Sequence, residues 1–145
     1  MKAVYVFFSL ALLALFTPPH AQAEEAAKAK TFVVITSDQM ETQAMAMVLS
    51  LQAIQNGAEV RILLCDGGGD MALKNYTGTP LKPKNVTPQM LLKKAMKSGA
   101  HVDVCALYLP NRSLSEADLI EGVKSVKPPV IGTYMADPSV RYFTF

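Results

Sequence analysis

Residues His101 to Gly122 read His-Val-Asp-Val-Cys-Ala-Leu-Tyr-Leu-Pro-Asn-Arg-Ser-Leu-Ser-Glu-Ala-Asp-Leu-Ile-Glu-Gly. Val102 to Leu109 is an apolar run broken only by Asp103, with the length and content of a buried strand. Pro110 and Asn111 stop it. Ser113 or Ser115, with Glu116 and Asp118, then supplies the side-chain acceptors and early acidic residues of a helix start. A thiol, Cys105, therefore lies between a strand end and a helix start. In open α/β sheets, ligands collect at that edge, where helix N-termini present unpaired N–H groups. A helix start and a guanidinium such as Arg112 both favour the thiolate, the form that attacks and carries sulfur. A lone strand cysteine is more often a small buried hydrophobe than a reactive thiol, so position alone does not establish reactivity.

Upstream, Lys2 and the apolar stretch Ala3 to Phe16 are followed by two prolines and the small-x-small pattern Ala21-Gln22-Ala23. This is the pattern of a cleaved secretory signal peptide over residues 1–23. The apolar stretch falls short of the roughly 20 residues a membrane span needs. The expectation is an exported chain, periplasmic in a bacterium, with no membrane attachment after cleavage and one domain over residues 24–145. Loss of Lys2 lowers the formal charge from +2 to +1. No basic stripe with interleaved aromatics points to nucleic acid.

The remaining chain alternates between periods. Thr31 to Thr36 and Glu59 to Leu64 are β-prone runs. Met40 to Asn56 places Ala44, Met47, Val48, Leu51 and Ile54 at helical spacing, and Asn56-Gly57 ends it. Thr87-Pro88 opens a second helix in N-cap and N1 order, with Ser98-Gly99 closing it. A third crossover helix is expected over Ser115 to Val126, buried through Leu119, Ile120 and Val123 and ended by Pro128-Pro129. A short strand, Val130 to Thr133, and a terminal β-prone run, Val140 to Phe145, complete the pattern. The alternation implies a single three-layer α/β/α domain around a mainly parallel sheet of about five strands.

This topology gathers Ser37, Asp38, Cys65, Asp66, Cys105, Asn111, Arg112 and Thr133 at the carboxyl edge and sends His101 to the opposite one. Cys65 runs into Asp66-Gly67-Gly68-Gly69-Asp70, a flexible rim able to approach an anion through backbone N–H groups. Its spacing fits neither a dinucleotide nor an NTP loop, and it lacks the alternating oxygen ligands of a calcium loop. His101 is the only histidine after residue 23, which disfavours Cys-His pairs, Ser-His-Asp triads and multi-histidine metal sites. Met40, Met45 and Met47 are better explained by packing than by copper. No metal or cofactor is expected. Asn75 to Val86 is a polar excursion of the kind that forms lids or subunit contacts.

The order of these pieces resembles the DsrE/DsrF-like family. The likeness spans nearly all of residues 24–145 and is most specific where Val102-Asp103-Val104-Cys105 joins Leu114-Ser115-Glu116-Ala117-Asp118-Leu119-Ile120-Glu121-Gly122-Val123. It implies an α/β/α domain that forms trimers or hexamers. It also implies sulfane-sulfur transfer through a cysteine persulfide, with Cys105 matching the sulfur-accepting residue, between thiol-bearing donor and acceptor proteins. Arg112 or backbone N–H groups are our candidates for stabilising the anion, and Asn111, Cys65, Asp66, Gly67 and Gly68 are candidate substrate-binding or supporting residues beside it. Cys65 is an extra thiol, open to pairing with Cys105 or to acting as its resolving partner. Two other readings stand beside the sulfur carrier. One is a non-catalytic module binding a small anion or a protein, and the other is a dithiol redox protein using Cys65 and Cys105, though without a Cys-x-x-Cys motif.

Overall fold

The computed structural model describes residues 28–145, so the expected leader over residues 1–23 lies outside the described part. The elements in chain order are β1 (Lys30–Ile35), α1 (Met40–Gln55), β2 (Glu59–Leu64), α2 (Pro88–Lys97), β3 (His101–Cys105), β4 (Lys124–Val126), α3 (Pro128–Met135) and β5 (Val140–Thr144). The five strands form one sheet in the order β4-β3-β2-β1-β5, and every pairing is parallel. The expected α/β domain with a parallel sheet of about five strands is the observed one.

Alternation along the strands divides the core. Val33, Ile35, Val60, Ile62, Leu64, Val102 and Val104 point to one face, where they bury against Met47 and Leu51 of α1 and Leu92 and Ala95 of α2. Phe32, Leu63, Val126 and Val140 point to the other and meet Ile131 of α3. That second face also carries the Asp103 that interrupts the apolar run. Arg61 Nε and Nη2 donate to Asp103 Oδ2 at 3.0 and 2.7 Å. The pair is close to fully buried, with side-chain exposures of 15% for Arg61 and 7% for Asp103. The guanidinium lies 5.2 Å from the centroid of the Tyr134 ring. A carboxylate in a buried strand thus finds the charge partner it needs on the neighbouring strand, because the register sets Arg61 against His101 and Leu63 against Asp103.

Helices α1 and α2 form where their patterns place them. Thr87 Oγ1 accepts the Met90 N–H at 3.2 Å as N-cap of α2, and Gly57 and Gly99 supply the positive φ that follows each helix. Val48 departs from the expected stripe and is exposed. Gln43, buried in its place, donates through Nε2 to the Ser37 and Gly67 carbonyls, tying the exit of β1 to the glycine segment.

The third crossover helix does not form. Ser115 and Asp118 do make the capping box, the Ser115 N–H and Oγ–H donating to Asp118 Oδ2 at 2.8 and 2.9 Å. However, only one 3₁₀ turn, Glu116–Asp118, follows. Leu119 then bridges antiparallel to Leu73, the Ile120 N–H donates to the Ala72 carbonyl at 2.8 Å, Gly122 takes φ +87°, and the chain enters β4. Leu119, Ile120 and Val123 are buried as expected, but by this cross-link. Their spacing suits either form, while Gly122 and the β-branched Val123 and Val126 weaken the helix. Pro128 and Pro129 correspondingly open a helix instead of ending one, as residues without N–H groups suit its first turn. The Val130 to Thr133 segment, expected as a strand, is therefore helical and supplies the cover of the second face.

Candidate functional site

β3 ends at Cys105 and β2 at Leu64, one residue short of Cys65. Leu64 pairs with Val104, so one further step of the same parallel register sets Cys65 beside Cys105 at the carboxyl edge. Both side chains follow the parity of Leu63 and Asp103 and emerge on the α3 face, where both pack against the Phe32 and Ile131 cluster. The Cys65 N–H is fixed by the Ile35 carbonyl at 2.8 Å. Both cysteines are free thiols and both are half-buried.

They line a cavity of about 730 Å³. Its apolar wall comes from Leu63, Val126, Ile131 and Met135, and its polar groups from Asp66, Asn111 and Arg112. Five expected site residues, Cys65, Asp66, Cys105, Asn111 and Arg112, thus share one cavity. Gly67 and Gly68 do not line it. Gly68 is buried where a Cβ would sit 2.3 Å from the Ile35 carbonyl oxygen, so its lack of a side chain serves close packing under the edge of β1. His101 lies exposed at the start of β3, at the opposite edge.

Arg112 is held on three sides. Its guanidinium carbon lies 4.4 Å from the Tyr108 ring centroid, Nη2 donates to Asp66 Oδ1 at 3.2 Å, and Nε lies 3.8 Å from Asp70 Oδ1. The Tyr108 hydroxyl donates to the same Asp70 oxygen at 2.7 Å. Tyr108 itself is buried, and burial, with the Asp70 bond second, pushes its phenol above the usual tyrosine range. A Cβ on Gly69 would fall 2.3 Å from the Tyr108 ring. The glycine segment therefore seats the aromatic platform on which Arg112 lies. Sequence reasoning missed Tyr108, which looks like one more residue of the apolar run. Its only signal is a hydroxyl there that needs a buried partner.

Asn111 donates through Nδ2 to the Leu107 carbonyl at 2.8 Å and closes the turn after β3. No α-helix starts after that turn, so the dipole expected from the chain following Cys105 is absent. The helix that begins beside Cys105 is α3: Val126 is the register partner of Cys105, and Pro128 lines the cavity. Its first two residues are prolines, which contribute a dipole but no N–H groups.

The Cys65 thiol is strongly perturbed. Burial pushes it up to about 12, followed in order by a hydrogen bond with Cys105, the charge of Cys105 and the charge of Asp66. Cys65 is therefore a proton-holding thiol directly beside a second sulfur. Among the described residues, no group of three or more His, Cys, Asp or Glu converges as a metal site.

No family model matches the chain. Over 80 residues, 54% of its length, it is 39% identical to the uncharacterized protein MJ0989 of Methanocaldococcus jannaschii, and the match spans 66% of that protein, just under two thirds. Among solved structures it is similar to the ychN protein from E. coli, with a TM-score of 0.66, 16% identity, 81% of this chain and 99% of the other. It is also similar to MTH1491 from Methanobacterium thermoautotrophicum, a protein of unknown function, with a TM-score of 0.63, 12% identity, 81% of this chain and all of the other. These likenesses show the fold alone, a small α/β domain of this architecture.

Proposed function

We propose that this chain is a sulfane-sulfur carrier of the sulfurtransferase type, with Cys105 as the residue that accepts sulfur. The observation that carries this reading is the placement of Cys105 at a strand end, in a largely apolar cavity whose one cation is Arg112. A thiolate there attacks the outer sulfur of a donor such as thiosulfate. The donor S–S bond breaks, sulfite leaves with the bonding pair, and Cys105 is left as a persulfide anion. An acceptor thiolate later attacks the outer sulfur and regenerates Cys105. Arg112 supplies positive charge for the incoming anion, while the apolar walls of Leu63, Val126 and Ile131 limit hydrolytic loss.

The same reading includes an exported, periplasmic location after removal of residues 1–23, assembly into a trimer or hexamer, and thiol-bearing donor and acceptor proteins. Leu107, 71% exposed at the cavity rim, and Met135, 53% exposed, are suited to cover by such a chain.

Intact mass before and after incubation with polysulfide or thiosulfate, with peptide mapping of both cysteines, tests the reading. The expected result is one added sulfur atom on Cys105, removed by reductant and absent in Cys105→Ser. Free thiols that take up no sulfur overturn it and leave a binding module.

A further inference from the structure

We infer that Cys65 resolves the Cys105 persulfide within the same chain, so that the cavity can discharge bound sulfur as sulfide and close a Cys65–Cys105 bridge. This rests on the carrier reading and specifies what happens to the sulfur when no acceptor protein is docked.

The geometry is that of two neighbouring parallel strands, about 4.8 Å apart. Leu64 opposite Val104 carries the register forward to Cys65 opposite Cys105. Both side chains share one face and one cavity. That spacing falls within the Cα separation of roughly 4.4–6.8 Å that a disulfide spans. The inner sulfur of a Cys105 persulfide is thus within reach of Cys65 without rearrangement of the sheet, and the cavity has room for the outer sulfur to depart.

In the step itself, the proton of Cys65 passes to the outer persulfide sulfur. The Cys65 sulfur then attacks the Cys105 sulfur, the bond to the outer sulfur breaks, and HS⁻ leaves with the bonding pair. Over loading and discharge together, the dithiol loses two electrons and one zero-valent sulfur gains two. A dithiol reductant restores both cysteines by exchange and itself becomes the disulfide.

Magnitudes favour this route over capture in trans by a free thiol. Burial and the neighbouring sulfur raise the Cys65 thiol above its usual range, so it is mostly protonated at neutral pH. Effective molarities of well-placed intramolecular groups reach on the order of 10⁵ M. That lies many orders of magnitude above the micromolar concentration of an undocked acceptor thiol, which leaves wide room for the small reactive fraction of Cys65. Cys65 therefore holds its proton most of the time, giving a docked acceptor the first opportunity, yet it discharges sulfur that finds none.

The test uses the reduced protein, loaded without oxygen from inorganic polysulfide, freed of donor and followed by intact mass, with released sulfide trapped by a bimane. In the wild type, the added sulfur should disappear at least tenfold faster than in Cys65→Ser or Cys65→Ala. The final mass should be two hydrogens below the reduced chain, with the lost sulfur recovered as sulfide. An adduct that persists equally in wild type and both variants overturns the inference and leaves the carrier standing. Failure of all three proteins to take up sulfur overturns both.

Discussion

Cys65 and Cys105 stand side by side on neighbouring parallel strands, one register step beyond the Leu64–Val104 pair, and burial and the neighbouring sulfur keep Cys65 protonated. The two thiols share one cavity. A carrier with a slow internal discharge requires a protonated thiol beside the sulfur-accepting one, and these components can be measured separately.

Alkylation of Cys65 should be slow at neutral pH. With its proton held up to about 12, the lost thiolate outweighs the gain in intrinsic nucleophilicity, and the rate should fall roughly a hundredfold below a free thiol. It should climb with pH without a plateau below about pH 11. Iodoacetamide labelling with peptide mapping reads this directly, and a plateau near pH 9 contradicts it.

The same shift has a stability sign. Between the unfolded thiol value of about 8.5 and the folded value of about 12, the folded state binds the Cys65 proton while the unfolded state has released it. Stability must therefore be fully present below about pH 8.5 and fall as pH rises through that window. Tyr108, also raised, adds to the loss above its own unfolded value. Urea midpoints should decline more gently with pH in Cys65→Ala than in the wild type.

Asp103 should be costly to remove. Replacing it with Ala leaves the Arg61 guanidinium buried without its carboxylate, a loss of about 3 kcal/mol. The double substitution Arg61→Met with Asp103→Leu should recover much of that loss, because the remaining groups no longer demand a charge partner. Equal midpoints for Asp103→Ala and the double variant in urea denaturation argue against this account.

Arg112 should affect rate more than fold. Its guanidinium is partly exposed, and its partner Asp66 is largely in water, so Arg112→Gln should cost less than about 1 kcal/mol. Sulfur uptake by Cys105 from an anionic donor should slow by about tenfold, and the salt dependence of the wild-type rate should flatten. Stopped-time mass measurements at low and high ionic strength separate these effects. An unchanged rate removes Arg112 from the site.

Gly69→Ala should act on the platform beneath Arg112. The added methyl meets the Tyr108 ring, and relief requires displacement of a buried aromatic, at about 1–3 kcal/mol. Tyr108→Phe removes only the hydroxyl bond to Asp70 and should cost about 1 kcal/mol. Thermal melts distinguish the two.

Much of the architecture was legible in the chain. β1, α1, β2, α2 and β5 announce themselves through period, caps and terminating glycines, and those signals act over a few residues. The carboxyl edge followed from their alternation alone, which is why Cys65, Asp66, Cys105, Asn111 and Arg112 were gathered correctly into one neighbourhood. The segment from Ser115 to Thr133 was not legible. Its apolar spacing satisfies a helix or a cross-linked strand equally, and Pro128-Pro129 ends one helix as readily as it starts another.

Local sequence therefore determined the order β1, α1, β2, α2, the ends of β1 and β2 to within a residue, and the delivery of a thiol to the carboxyl edge by each of two strands. It did not determine that β3 stops at Cys105 instead of running to Leu109. Only the tertiary structure decided that Leu73 and the Ala72 carbonyl would capture Leu119 and Ile120. It also decided that Asp103 would be paid by Arg61 and that Tyr108 would carry Arg112 over the glycine segment. The physical reason is range. Caps, periods and turns are settled between residues a few positions apart, whereas a buried polar group or an ambiguous apolar triplet is settled by whichever distant partner the sheet brings within contact.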